Sequence, residues 1–319
     1  MFSPDLWNKS SAADAYTIDN SLRFNDADDS RLTKTIATSG DQKTITISFW
    51  FKRGTLGLNN TRLFSSRTSG SDEFEILFNT SDQLSTYFYS GSYSFWFLTT
   101  QVFRDPSAWY HYCFKYDSTP ASPDSTDCAL YINGVQVTAF ETETYPAQDL
   151  ELPVNKATAA VTIGDHGGAL GSYVWDGYIA EWYSIDGQAL DADSFGELDS
   201  TTNQWKPLDS DDVKDAVTFG TNGFYQKYSS TELATSFADS SGNTGYSPTV
   251  AGNTHTDTAV KKIGTASCQT DGTGDYLGFG SSSNWPDSGN YTIEGWFYAS
   301  TITSQMTLFG GGSSSDTSF

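Results

Sequence analysis

Thr44-Ile45-Thr46-Ile47-Ser48-Phe49-Trp50-Phe51-Lys52 is the most regular stretch of the chain. Ile45, Ile47, Phe49 and Phe51 recur at every second position, with Thr44, Thr46, Ser48 and Lys52 between them and Trp50 as the one large ring out of phase. Apolar residues at period two lay one face of a strand against a core, and β-branched and aromatic side chains suit the pleated backbone. The stretch is therefore read as a half-buried strand. A second copy, Thr292-Ile293-Glu294-Gly295-Trp296-Phe297-Tyr298, stands near the other end of the sequence. Its flanks repeat as well: residues 21–32 align with 266–277, and Leu63-Phe64 with Leu308-Phe309. A β unit repeated in tandem is expected, its second copy incomplete at Phe319 and continuing beyond it.

Composition points the same way. Apolar residues make up only 37% of the 319, yet aromatics reach 15%. Much of the rest is Ser, Thr, Gly, Asn and Asp, the residues of short strands and many turns, and the Ala, Leu, Lys and Glu runs of a helical protein are missing. The net charge of −22 disfavours nucleic-acid phosphates and anionic membranes as partners. It leaves neutral glycans and divalent cations acceptable. Three cysteines, Cys113, Cys128 and Cys268, form no framework. Cys113 and Cys128 fall on what read as adjacent strands, where a bridge is conceivable, but free half-buried thiols are the expectation. The N-terminus lacks a basic segment followed by an apolar run, and no window is long and apolar enough to span a membrane.

Further strands follow at 22–24, 62–66, 74–78, 84–89, 93–98, 109–116, 129–137, 161–164 and 178–185. Ser90-Gly91-Ser92 reads as one hairpin turn and Asn133-Gly134 as another, of the type that needs two positive φ angles. Tyr110, Tyr112, Phe114 and Tyr116 alternate onto one face. One helical turn is expected within 191–197. These connections imply antiparallel sheets. The organisation expected is a lead-in at 1–20, a first domain at 21–208, an acidic connecting segment at 209–235 containing Asp209-Ser210-Asp211-Asp212, and the start of a second domain at 236–319.

Residues with chemistry fall in loops and strand ends. Sugar rings stack on exposed aromatic faces while nearby polar groups fix their orientation. Tyr89 and Tyr93 flank the Ser90-Gly91-Ser92 tip, and Asp165, His166, Tyr173 and Trp175 share a Gly-rich loop; these six are the candidate glycan contacts. His111 reads as a packed strand residue. Asp26, Asp28 and Asp29 cluster at a strand end and are the candidate calcium ligands, since calcium needs several oxygens on a rigid turn. No other cofactor is expected.

Ser21-Leu22-Arg23-Phe24, Ile47-Ser48-Phe49-Trp50-Phe51, Trp109-Tyr110-His111, Leu130-Tyr131-Ile132-Asn133-Gly134 and Gly177-Tyr178-Ile179-Ala180-Glu181 occur in an order that resembles the laminin-G-like, or concanavalin A-like lectin/glucanase, superfamily. The resemblance implies an all-β fold, an antiparallel jelly-roll β-sandwich, in tandem with the second unit incomplete. It leaves function open among lectins, adhesion modules and hydrolases. A glucanase of this kind carries carboxylates at i, i+2 and i+4 on one strand. Glu181 is the nearest candidate, but its expected same-face neighbours are Gly177, Ile179, Tyr183 and Ile185, and the Glu73/Glu75 pair lacks a third carboxylate. The expectation is therefore a non-enzyme.

A narrower likeness concerns Val102-Phe103-Arg104-Asp105-Pro106-Ser107-Ala108-Trp109-Tyr110-His111, then Ile185-Asp186-Gly187-Gln188-Ala189-Leu190, Ser194-Phe195-Gly196-Glu197, Trp205-Lys206-Pro207 and Gly220-Thr221-Asn222-Gly223-Phe224-Tyr225. These resemble segments of virion proteins from marine tailed phages. The resemblance implies a fibre, spike or head-decoration component, assembled in the host cytoplasm without a signal peptide. Its implied partners are other virion proteins, copies of itself in a homotrimer, and a host surface glycan, with a purely architectural role as the alternative.

Overall fold

The computed structural model describes residues 16–68, 72–228, 249–251 and 255–257. The chain divides into two compact units, 1–266 and 267–319, and every described residue lies in the first. Its strands, in chain order, are β1 (Ser21–Phe24), β2 (Arg31–Thr35), β3 (Thr44–Arg53), β4 (Thr61–Arg67), β5 (Glu73–Phe78) and β6 (Gln83–Tyr89). Then come β7 (Tyr93–Val102), β8 (Tyr110–Asp117), β9 (Ala129–Ile132), β10 (Val135–Gln136), β11 (Phe140–Thr144) and β12 (Ala160–Ile163). The last are β13 (Gly177–Asp186), β14 (Gly196–Leu198), β15 (Trp205–Pro207), β16 (Phe224–Gln226), β17 (Thr249–Ala251) and β18 (His255–Asp257), with one helix, α1 (Ser210–Ala216), between β15 and β16.

Two antiparallel sheets face each other. The first runs β10-β9-β8-β3-β13-β1-β18, with β16 also on β13; the second runs β11-β7-β6-β5-β4-β12-β2-β17. The all-β sandwich expected from the strand pattern is what forms. Between the sheets, Ile45, Ile47, Phe49 and Phe51 of β3 meet Tyr112, Phe114 and Tyr116 of β8 and Phe64, Phe74, Ile76 and Phe78 of the second sheet, all fully buried. Phe49 stacks on Trp182 at 4.3 Å and on Tyr112 at 4.8 Å. Burial of this many rings is the main driving force for the sandwich.

Turn chemistry follows the sequence. Asn133 and Gly134 take φ of 49° and 75°, both positive as the hairpin requires. At Ser90-Gly91-Ser92 the Ser90 N–H donates to the Ser92 carbonyl at 3.0 Å, and Tyr89 pairs with Tyr93. The helical turn expected within 191–197 is a 3-10 turn at Ala192–Ser194. Cys113 and Cys128 are buried free thiols, and burial raises both above the usual thiol range.

One expectation is corrected. The strand at 44–52 is not half-buried: Thr46, Ser48 and Trp50, on its outer face, are also buried. The Thr46 hydroxyl donates to the Gln188 carbonyl at 2.7 Å and accepts from Leu190 N–H at 2.8 Å, so the chain after β13 folds back over this face. Residues 209–228 pack on the same sheet. Val213, Val217, Phe219 and Tyr225 close a second apolar cluster with Cys113, Tyr183, Ile185 and Phe195 on the outside of the first sheet, and β16 hydrogen-bonds to β13. The acidic Asp209-Ser210-Asp211-Asp212 run begins α1: Asp209 caps Asp211 N–H at 2.9 Å, and Asp211 and Asp212 sit in the first turn, where the helix dipole favours negative charge. The two strands described within 236–319 are β17 and β18. β17 pairs with β2 and β18 with β1, extending both sheets. The rest of the repeat, including 292–298, lies outside the described residues.

Candidate functional site

The outer face of the second sheet carries aromatic and charged residues where a solvent-facing sheet ordinarily carries small polar ones. The cause is register. Core residues Phe74, Ile76, Phe88 and Phe95 point inward, so Glu73 and Glu75 of β5 and Tyr87 and Tyr89 of β6 point outward. Glu75 pairs with Tyr87, and Tyr87 with Trp96; Glu73 pairs with Tyr89, and Tyr89 with Tyr93. Tyr93 stacks on Trp96 at 4.3 Å and meets Tyr87 and Tyr89 edge-on at 5.2 and 5.1 Å. Tyr93 is 46% exposed, the largest ring surface on this face.

Beside the rings lies a polar cluster. Arg62 Nε donates to Glu75 Oε2 at 2.8 Å, and the Tyr87 hydroxyl donates to the same oxygen at 2.7 Å. His166 Nε2 lies 2.9 Å from Glu75 Oε1 and 3.5 Å from Glu73 Oε2; Arg67 Nε lies 3.5 Å from Glu73 Oε2. The Tyr173 ring covers the Arg62 guanidinium at 4.2 Å and meets His166 edge-on at 5.6 Å. Burial alone would raise the Glu75 carboxyl, but His166, Arg62 and Tyr87 outweigh it and hold the group below its ordinary value. The same burial and the neighbouring carboxylates push Tyr87 far up, so it remains a hydroxyl donor.

The loop that delivers His166 is built by Asp165. Its carboxylate, fully buried, accepts from His166 N–H and Gly171 N–H, each at 2.7 Å, and stands 3.7 Å from Arg31. Gly168 N–H donates to His166 Nδ1 at 3.2 Å, which places the ring proton on Nε2, toward the carboxylates. A Cβ at Gly168 would lie 1.6 Å from Arg67 Nη1, so the absence of a side chain there lets Arg67 reach the cluster. A cleft of about 150 Å³ adjoins the far side of Tyr173, lined also by Asp26, Leu58, Asn59, Thr61 and Ser172.

Of the six glycan candidates, Tyr89, Tyr93, His166 and Tyr173 thus reach one strip through Glu73, Glu75 and Arg62. Asp165 orders the loop from beneath. Trp175 does not join them: it is 1% exposed and packs on Phe51 and Phe78 in the core, because Asp176 and Gly177 turn the chain into β13 directly after it. The three aspartates of the calcium set share one turn. Asp26 and Asp28 form a 3-10 turn capped by Asn25, whose amide donates to Asp28 Oδ2 at 2.6 Å, and Asp29 closes it with φ of 52°. Among the described residues, the group of potential ligand atoms gathered within 4.8 Å is Glu73, Glu75 and His166. That group suits hydrogen bonding better than a cation. His166 Nε2 bears the proton a metal would have to replace, and Arg62 and Arg67 already balance both carboxylates.

Sequence reasoning missed Arg62, Arg67, Tyr87 and Trp96, and it set the Glu73/Glu75 pair aside for lack of a third carboxylate. The hairpin at 90–92 was the available signal for Tyr89 and Tyr93, but an irregularity at Ser94 shifts the register and brings Trp96 rather than Phe95 opposite Tyr87. Glu181 is corrected as well. It takes φ of 49° in a β-bulge, where Ala180 pairs with Trp50 and Tyr183 with Ser48. The extra residue shifts the alternation: Ile179 and Trp182 point into the core, and Tyr183 and Ile185 point out. Glu181, 3% exposed, accepts from Tyr183 at 2.9 Å, Tyr225 at 2.5 Å and Tyr16 at 3.2 Å, and burial raises its carboxyl. His111 is a packed strand residue, between Ser48 at 2.8 Å and the Trp205 indole at 3.0 Å.

Residues 25–194 match the family model of the concanavalin A-like lectin/glucanases superfamily. The chain belongs to this superfamily. No curated protein matches it. Among solved structures, a candidate carbohydrate-binding protein from Bacteroides ovatus is similar at a TM-score of 0.50 and 14% identity, over 79% of this chain and 62% of that one. A pentraxin from Limulus polyphemus is similar at 0.40 and 18%, over 55% and 80%; the CBM40 of a Ruminococcus gnavus IT-sialidase at 0.34 and 13%, over 50% and 94%. At these identities the likeness concerns the fold.

Proposed function

We propose that this lectin-like domain binds a carbohydrate on the outer face of the second sheet, without hydrolysing it, as a surface module of a tailed-phage virion. The observation that carries the binding reading is the exposed Tyr93 ring, stacked on Trp96 and meeting Tyr87, whose hydroxyl joins the neighbouring cluster of Glu73, Glu75, Arg62, Arg67 and His166. An aromatic face beside fixed donors and acceptors is what a sugar needs: C–H groups for the ring, hydroxyls for the polar side chains. The Bacteroides ovatus protein, described as carbohydrate binding, has a related fold and lends this reading support.

Binding without hydrolysis is favoured by the carboxylates. Glu75 is fully buried and held by Arg62, and Glu181 is enclosed by three tyrosines, which supports the reading that neither serves as one of a pair flanking a glycosidic bond. The virion reading rests on the likeness of 102–111, 185–190, 194–197, 205–207 and 220–225 to phage virion proteins. On a trimeric fibre, copies of a weak site would add through avidity.

The test is equilibrium binding of the full chain and of Tyr93→Ala to a panel of host-surface glycans, with circular dichroism as the folding control. Binding by the parent that the variant loses supports the reading. A panel with no binder, or binding indifferent to Tyr93, sinks it. Antibody labelling of whole particles tests the virion assignment separately; unlabelled particles that lack the chain would refute it.

A further inference from the structure

We propose that the strip selects uncharged saccharides over anionic ones, and that Glu73 is the residue that sets this selectivity. The inference rests on the sugar-binding reading above. Its starting point is the balance of charge around the rings. Two guanidiniums, Arg62 and Arg67, face two carboxylates, Glu75 and Glu73, at 2.8 and 3.5 Å. His166 adds no unmatched donor, since its Nε2 already faces both carboxylates.

The two pairs differ in position. The Glu75 side chain is fully buried and that of Arg62 is 9% exposed. Glu73 and Arg67 are each 20% exposed, so they are the charged pair a ligand on the rings can touch. Asp72 stands next along the chain and accepts from Ser90 at 2.5 Å on the hairpin tip beside Tyr89. A sugar carboxylate or sulfate would therefore approach two acidic side chains, with the nearest arginine already engaged. Like charges within a few ångströms at a half-dry surface cost more than the same pair in water. A neutral sugar meets no such cost. Its hydroxyls donate to Glu73 and accept from Arg67, two roles a hydroxyl fills at once. The chain's net charge of −22 acts in the same direction at longer range.

The deciding experiment measures affinity of the full chain for matched saccharide pairs, each a neutral oligosaccharide and its uronic-acid or sulfated counterpart. The unmodified chain should bind the neutral member about tenfold or more tightly than the acidic one. Glu73→Gln leaves two arginines against one carboxylate and should narrow that ratio to about threefold or less, chiefly by improving the acidic ligand, with the gain fading as salt rises. Arg67→Gln should widen it. An unmodified chain that prefers the acidic member, or a ratio unmoved by both substitutions, overturns the selectivity while leaving sugar binding intact. Absence of binding to either member overturns both, so the two failures are distinguishable.

Discussion

The Trp205 indole N–H donates to His111 Nδ1 at 3.0 Å, and the other ring nitrogen of His111 lies 2.8 Å from the Ser48 hydroxyl. The first contact fixes the proton on Nε2, from which it is donated to Ser48. The ring also lies 5.8 Å from the indole it binds and 5.1 Å from Trp50. Trp205→Phe keeps a ring and loses this hydrogen bond, leaving Nδ1 buried without its donor. A loss of about 1–2 kcal/mol is expected in urea unfolding followed by circular dichroism.

His111 also carries a pH signature. Burial pushes it down to about 3, from an ordinary 6.5. The unfolded chain takes up a proton near 6.5 that the folded chain refuses until about 3. The stability this histidine contributes is therefore complete above 6.5 and is lost as pH falls toward 3. Stability of the parent relative to His111→Gln should decline across that interval, and a constant difference would contradict the assignment.

Asp82 should show acid sensitivity for a different reason. Burial opposes its charge, but Gly57 N–H, Arg104 and Arg53 together hold its carboxyl below the ordinary value. Arg53 reaches it at 2.9 Å while lying over Phe78 at 4.3 Å, and Arg104 reaches it at 2.9 Å from the other side. The stabilisation is present above the unfolded carboxyl range and lost as pH falls through the depressed folded value. Asp82→Asn should cost about 2–4 kcal/mol at neutral pH, because it strands the buried Arg53 cation, and the gap should shrink in acid. Unfolding curves at several pH values measure both.

Glu181 has the opposite sign. Burial raises its carboxyl, so the folded chain holds the proton more tightly than the unfolded one. Its contribution is fully present below the unfolded value and is lost as pH rises through the folded one. Glu181→Gln keeps an oxygen for the three tyrosines and removes the charge. The variant should gain on the parent as pH is raised from 4 toward 7; a gain that shrinks instead would refute the direction.

These residues also mark how far a sequence can be read. The inner face of β3 was legible because Ile45, Ile47, Phe49 and Phe51 repeat at period two and nothing interrupts them. Its outer face was not, because Thr46, Ser48 and Trp50 are covered by chain from beyond Asp186, a contact no local pattern records. Residues 209–212 look like a solvated linker by composition, yet as a helix start their acidic side chains face out while Val213 faces in. Parity arguments on β13 failed at one residue, the bulge at Glu181. Tyr89 and Tyr93 share the strip because a hairpin holds them opposite each other, whereas His166, Tyr173 and Trp175 lie on one long loop, and which of its side chains enter the core no local pattern records.

Gly168 offers a way to disturb the strip without substituting any of its rings or charged residues. A methyl group there would occupy the place of Arg67 Nη1, at 1.6 Å. The obstacle is the far end of a flexible side chain, so Arg67 can swing away at little expense to the fold. Gly168→Ala should therefore change unfolding free energy by less than about 1 kcal/mol. Displacing Arg67 from Glu73 removes a donor from the rim of the strip and leaves the carboxylate uncompensated. Affinity for a neutral saccharide should fall by about three- to tenfold, and an acidic one should be rejected more strongly. Melting curves paired with titrations on the same preparation read both effects. A variant as stable as the parent with unaltered affinity would mean that Arg67 takes no part in ligand contact.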